Sequence, residues 1–272
     1  MEKYSIGIDV DKKELKVCLL YRAINLDQKV KGHKIFTNNT EGIAALVEWV
    51  DKKITTEVQS CYVLETTGVY HEQLAYFLHS KEKVAHVVLA IKAKRYIQSL
   101  GYRSKTDKID AKGLARMGAE QQLEQWQPSL PNLLNLRSIT RQIEALKNHK
   151  TMFNNQLEAV NHTVFVDKIV EKSILTMIKQ LDKQILQLEV KVKSIIEKDT
   201  LLNHKYGLVK SLQGIGLMSF AVIVAETNGF ALFKSQKQLV SYAGYDVVEN
   251  QSGKRVGKTK ISKKGNSHIR RV

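Results

Sequence analysis

The sequence predicts an α/β domain built on a central sheet, followed by a long helical region and a small, mainly helical domain. Three observations carry this. Residues 4–21 alternate apolar and polar positions, with a break at Asp11-Lys12-Lys13, the pattern of two strands joined by a tight turn. From Ile174 the apolar residues run Ile174, Ile178, Leu181, Ile185, Leu188, Val192 and Ile195, a heptad seam on a long helix. The chain's two prolines, Pro128 and Pro131, stand almost together and mark a boundary between the two patterns.

Composition narrows the function. A chain of 272 residues holds one large domain or two to three smaller ones. Lys and Arg number 43 against 27 Asp and Glu, a net charge of +16, and that excess calls for a polyanionic partner, nucleic acid by default. Cys18 and Cys61 each sit in an apolar run and read as buried thiols of a reducing compartment, with no disulfide framework and no zinc spacing. No apolar run reaches transmembrane length. An acidic residue and an early strand stand where a signal peptide would, so the expectation is a cytoplasmic protein without a membrane partner.

Taken in order, Ile6, Ile8 and Val10 form one strand, which puts Asp9 in a strand interior. A carboxylate there is costly unless it is hydrogen-bonded or ligates a metal. Leu15, Val17, Leu19 and Tyr21 form the second strand, and Lys34–Phe36 is a candidate third. Residues 40–50 read as a helix with Thr40 as N-cap. Residues 61–65, CYVLE, read as a short buried strand ending in Glu65 beside a Gly-bearing loop, a common placement for an active-site acid. The plain alternative is an acid capping the next helix, residues 70–79. Another strand follows at 84–90, then a helix or loop at 92–100.

Residues 101–117, GYRSKTDKIDAKGLARM, place Asp107 and Asp110 three apart at the start of a helix, a spacing that shares one helix face. Arg103, Lys105, Lys108, Lys112 and Arg116 crowd them. Two convergent acids suit a hard cation, and the surrounding cations suit the phosphates such a cation activates. A solvated first turn, with acids favoured by the helix dipole, is the plain alternative. The element order, with acids on the first strand, the fourth strand and the last helix, matches the ribonuclease-H-like layout.

Residues 125–131, QWQPSLP, form the expected break, giving domains 1–127, 132–203 and 204–272. The seam of the middle region fits either a hairpin within one chain or an intermolecular coiled coil. Residues 206–226 read as helix, turn, helix, and Gly214 and Gly216 at the turn resemble a helix-hairpin-helix, whose backbone amides approach a DNA phosphate. Residues 230–245 read as an apolar-faced helix. From Lys254 the chain lacks acids and carries Lys254, Arg255, Lys258, Lys260, Lys263, Lys264, Arg270 and Arg271, a phosphate-binding tail with strong salt dependence.

Here a family resemblance becomes specific. GIDVDKKELKV, LETTGVY and YRSKTDKIDAKGLARM resemble, in order and spacing, the three acidic blocks of the DEDD transposases of the insertion-sequence family numbered one-ten, kin to the pilin-gene inversion recombinases. FALFKSQKQLVSYAGY and ISKKGN resemble blocks of that family's C-terminal domain, and Ser252-Gly253 stands where the family carries its Ser-Gly. The resemblance implies a RuvC-like catalytic domain whose acids are Asp9, Glu65, Asp107 and Asp110. It also implies a coiled-coil region supporting a homo-oligomer, dimer or tetramer, and a serine nucleophile at Ser252. It implies Mg²⁺, two per site, or Mn²⁺ in its place, DNA ends and target as substrate, and a structured noncoding RNA as guide. Family members continue with further helical sequence after the ISKKGN block, so the C-terminal domain is expected to be incomplete at Val272.

Three other readings compete. A metal-dependent junction nuclease of the same fold would use water in place of Ser252. An actin-like phosphotransferase shares the Gly-Ile-Asp strand but needs Gly-rich phosphate loops that the sequence lacks. An inactive DNA-binding remnant would keep the acids without strand transfer.

Overall fold

The computed structural model describes residues 2–54, 58–66, 68–102, 104, 106–231, 233–252 and 255–272, without the side chains of Ser252 and Val256. It contains two compact units, Met1–Pro128 and Ser129–Val272.

The first unit starts with β1 (Lys3–Val10), β2 (Glu14–Arg22) and β3 (Gln28–Thr37), then α1 (Thr40–Asp51), β4 (Ser60–Glu65), α2 (Glu72–Ser80) and β5 (Ala85–Val88). It ends with α3 (Ala90–Ser99) and α4 (Asp107–Glu120). The sheet order is β3-β2-β1-β4-β5. β1, β2 and β3 pair antiparallel, while β4 pairs parallel to β1 and β5 parallel to β4, which is the ribonuclease-H-like order. β3 extends well beyond Lys34–Phe36. It is an edge strand studded with Lys29, Lys31 and Lys34, a composition that blunts an edge but hides the strand from a search for alternation. The cap of α1 is Asn39, whose side chain accepts from Gly42 N at 2.8 Å. Thr40, the predicted cap, is instead the first helical residue, so the cap lies one residue earlier than predicted.

Period-two alternation gives the sheet two faces. Ile6, Ile8, Val10, Val17, Tyr62 and Leu64 pack with Ile43, Leu46 and Leu74 of α1 and α2. Cys18 and Leu20 pack with Ala111 and Ala115 of α4, and Cys61 and Val63 with Leu114 and Met117. Both cysteines are buried free thiols. α4 lies against β1 so closely that a Cβ on Gly7 would stand 2.1 Å from Ala111 O and Ala115 N. Glycine at position 7 therefore lets the helix backbone rest on the strand.

The second unit is built on α5 (Pro131–Asn161) and α6 (Lys168–Lys198). They run antiparallel, as the pairs Lys147–Glu189 and Lys150–Asp182 at 2.8 and 2.6 Å show. Ile174, Leu181, Ile185 and Val192 of the predicted seam are buried, and Leu188 and Ile195 pack against the same core as Leu136, Ile143 and Leu146 of α5. In this single chain the seam is covered by the chain's own hairpin partner.

α7 (Thr200–Val209) and α8 (Leu217–Glu226) follow. Leu202, Phe220 and Val224 share the α5–α6 core, so residues beyond 203 belong to the same compact unit as the hairpin. The helix expected over 230–245 is confined to α9 (Gln236–Ala243). Phe230 has φ 71°, outside the helical region, and Ser235 caps α9 by accepting from Gln238 N. The remainder is β6 (Val247–Val248), β7 (Gln251–Ser252), β8 (Arg255–Val256), β9 (Lys260–Ile261) and α10 (Ser267–Arg270). β6 pairs with β9 and β7 with β8, both antiparallel.

Candidate active site

Each acid of the first unit is aimed by a local rule. Asp9 shares the alternation of Ser5 and Gly7, so it faces α4. Glu65 ends β4 on the same face, one residue beyond the parallel pair Ile8–Leu64 that precedes Asp9. Asp107 and Asp110 fall in the first turn of α4 because Thr106 caps it, its side chain accepting from Ile109 N. The close α4–β1 contact at Gly7 brings that first turn over the ends of β1 and β4.

Asp9, Glu65, Asp107 and Asp110 all line one cleft of about 860 Å³, walled on the far side by Ile91, Lys94 and Tyr102. Asp9 is half-buried, and its carboxyl is pushed up to about 6, first by burial and then by Asp107 and Asp110. An acid withdrawn from water and crowded by other acids marks a site short of positive charge. The donors are all carboxylate oxygens, the set a hard divalent cation takes, so the residues fit Mg²⁺ or Mn²⁺ in kind. Among the described residues, no three metal-capable side chains are yet gathered about a single point.

The site also holds residues that sequence reasoning passed over. Lys16 lines the cleft and its ammonium pairs with Asp107. Its place was legible: a turn at 11–13 sets the hairpin register, and that register puts Lys16 opposite Asp9. Asp11, left out of the acid set, lines the cleft too. Asn38 Nδ2 donates to Asp11 O at 2.8 Å and to Tyr70 O at 3.1 Å, tying the turn after β1 to the loop after β4. No local motif announces such a tether.

The predicted nucleic-acid contacts divide. Lys108 is exposed on α4, whereas Arg103, Lys105 and Lys254 lie outside the described residues. Arg255, Lys258, Lys260, Lys263 and Lys264 are exposed. Arg270 donates to Ala243 O at 2.6 Å and Arg271 pairs with Glu144, so a phosphate would compete with these bonds. Gly214 has φ +90° in the turn before α8, and Gly216 is the N-cap of α8 with no side-chain capping bond. Ser252 pairs with Arg255 across the β7–β8 hairpin.

The ISKKGN block has a structural reason as well. Asn266 caps α10 and donates to Glu226 Oε2 at 2.7 Å. A Cβ on Gly265 would stand 2.3 Å from Tyr242 O.

No helix among the described residues is long and apolar enough to cross a membrane. Comparison with known proteins gives the family. A DEDD transposase model of the IS110 type matches residues 6–166, and one described as "Transposase IS116/IS110/IS902 family" matches residues 206–272. The chain is 32% identical to a pilin gene-inverting protein of Moraxella bovis over 93% of its own length and 75% of the relative's. It is 31% identical to that of Moraxella lacunata over the same shares. Among solved structures it is similar to RuvC of Thermus thermophilus in complex with a Holliday junction substrate, at 10% identity and TM-score 0.33, covering 46% of this chain and 100% of that one. The chain belongs to the IS110 family of DEDD transposases and is an enzyme of DNA transposition and recombination.

Proposed function

We propose that this enzyme cuts and rejoins the DNA of a bacterial insertion sequence, using Asp9, Glu65, Asp107 and Asp110 to hold divalent metal and Ser252 as nucleophile. The observation that carries this reading is the convergence of the four acids on one cleft from three elements far apart in sequence. Two Mg²⁺ ions held there would polarise the phosphoryl oxygens of the scissile linkage. The carboxylates would hold and offset those cations, and exposed Lys108 lies on the same helix as Asp107 and Asp110 to meet the flanking backbone.

Ser252 Oγ, giving its proton to solvent, would form a bond to phosphorus as the bond from phosphorus to the leaving sugar oxygen breaks. That oxygen takes up a proton. Rejoining reverses the step, with a sugar hydroxyl expelling Ser252. Lys254 and Arg255 would offset charge at the phosphorane.

The family resemblance and the exposed cations Arg255, Lys258, Lys260, Lys263 and Lys264 support a second polyanion, a structured noncoding RNA of the element, as guide. The turn at Gly214 and Gly216 would offer amides to a phosphate, and the 204–272 segment would act as the serine-bearing domain. Self-association through the helical hairpin is supported by its tip, where Val164, Phe165 and Ile169 are 90, 91 and 80% exposed, a patch that favours burial against another copy. Buried free thiols support a reducing, cytoplasmic location.

The test is strand cleavage and joining on element-junction DNA with Mg²⁺ and the flanking RNA. Wild type is expected to recombine, and Asp9→Asn, Glu65→Gln, Asp107→Asn and Asp110→Asn each to fail. Recombination that persists in Asp107→Asn would overturn the acid assignment. Cleavage that persists in Ser252→Ala would replace the serine by water.

A further inference from the structure

The acid cleft already contains a cation supplied by the chain itself. Lys16 stands directly across the β1–β2 ladder from Asp9, and its Nζ donates to Asp107 Oδ2. The Lys16 side chain is 22% exposed against 56% for Asp107, so the ammonium rises from the cleft floor to meet an acid at its rim. Asp9, Asp11 and Asp110 line the same cleft as Lys16 and Asp107. A lysine ammonium is cationic at neutral pH, and here it is paired with Asp107. A carboxylate that accepts from an ammonium has a lone pair committed, and a divalent ion approaching the same oxygens meets a fixed positive charge.

We propose that Lys16 is a tethered counter-ion that competes with divalent metal for Asp107. In the free enzyme it holds the carboxylate, and metal loads fully only when Lys16 lets go. A nucleic-acid phosphate in the cleft offers the ammonium another anion, so metal loading is coupled to substrate. The inference rests on the carboxylate–metal reading above and adds a control on it.

The experiment is Mn²⁺ titration of the nucleic-acid-free full chain, with free Mn²⁺ read by electron paramagnetic resonance. Lys16→Gln is expected to bind Mn²⁺ about ten-fold more tightly than wild type, since one neighbouring charge and one committed carboxylate are released. Lys16→Arg keeps the charge and is expected to match wild type. In an Asp107→Asn background, Lys16→Gln is expected to gain clearly less than about ten-fold, because only the neighbouring charge is removed and no carboxylate is released. Lys16→Gln binding no tighter than wild type, while Asp107→Asn still weakens binding, would overturn the role of Lys16 alone. Equal tightening in Lys16→Arg and Lys16→Gln would also overturn it. Binding that is indifferent to Asp107→Asn would overturn the metal reading and the role of Lys16 together.

Discussion

Glu226 in the second unit and Asp9 in the first are acids withdrawn from water with opposite surroundings. The Glu226 side chain is 1% exposed. Arg141 Nε and a terminal guanidinium nitrogen donate to its two oxygens at 2.7 and 2.9 Å, and Asn266 adds a third bond at 2.7 Å. Burial acts to raise its carboxyl, but Arg141 and Asn266 outweigh it and hold it below the usual range. Asp9 receives the same push from burial, yet three of the charges around it are acids, and its carboxyl rises to about 6. A buried acid whose neighbours are donors is a fastener; here it fixes Asn266 and the C-terminal block to α5 and α8. A half-buried acid among acids is disfavoured as an anion unless a cation offsets it, which is the surrounding expected of the metal-holding role proposed for Asp9.

Substitutions can break this contrast, and the largest effect falls on activity. Asp107→Asn removes one of the oxygens proposed to hold metal and is expected to lower recombination about a thousand-fold or more, measured on junction DNA. Asp9→Asn should lower it comparably while leaving urea unfolding no less stable than wild type, because it removes like-charge crowding. Next, Gly7→Ala would force α4 off β1 and cost about 3 kcal/mol or more. It should lower stability and activity together in unfolding and strand-transfer assays.

Glu226→Gln strips Arg141 of its anion. Because Arg141 is partly exposed and can turn to water, the expected cost is about 2 kcal/mol in urea unfolding, less than for a fully buried pair. A variant as stable as wild type would erase the contrast with Asp9. The smallest effect is the pH dependence. The Glu226 carboxyl is lowered from 4.5, so its contribution is complete above that value and lost as pH falls below it through the folded value. Glu226→Gln should therefore show a shallower acid limb of stability than wild type.

The sequence made the acids legible because each obeys a short-range rule: strand alternation for Asp9, a strand end for Glu65, and a capped first turn for Asp107 and Asp110. Lys16 was readable from the hairpin register but needed two strands considered at once. β3 was seen only in part because an edge strand rich in lysine has little apolar alternation to show. Residues 230–245 carry an apolar pattern that continues past the point where Phe230 adopts positive φ, so periodicity overran the helix. Asn38 and the Glu226–Asn266 bond join segments 32 and 40 residues apart, and no local pattern encodes such pairings. Asn266 shows the converse, since a residue that family likeness places in a functional block is also a structural anchor.

The most direct measurement is a covalent-adduct assay. Purified protein, Mg²⁺, element-junction DNA and the flanking noncoding RNA are mixed, denatured and resolved, and the residue linked to DNA is mapped by mass spectrometry. The expected result is DNA attached to Ser252, lost in both Ser252→Ala and Asp107→Asn. Cleaved DNA with free ends and no attached protein would contradict the serine mechanism and identify water as the nucleophile.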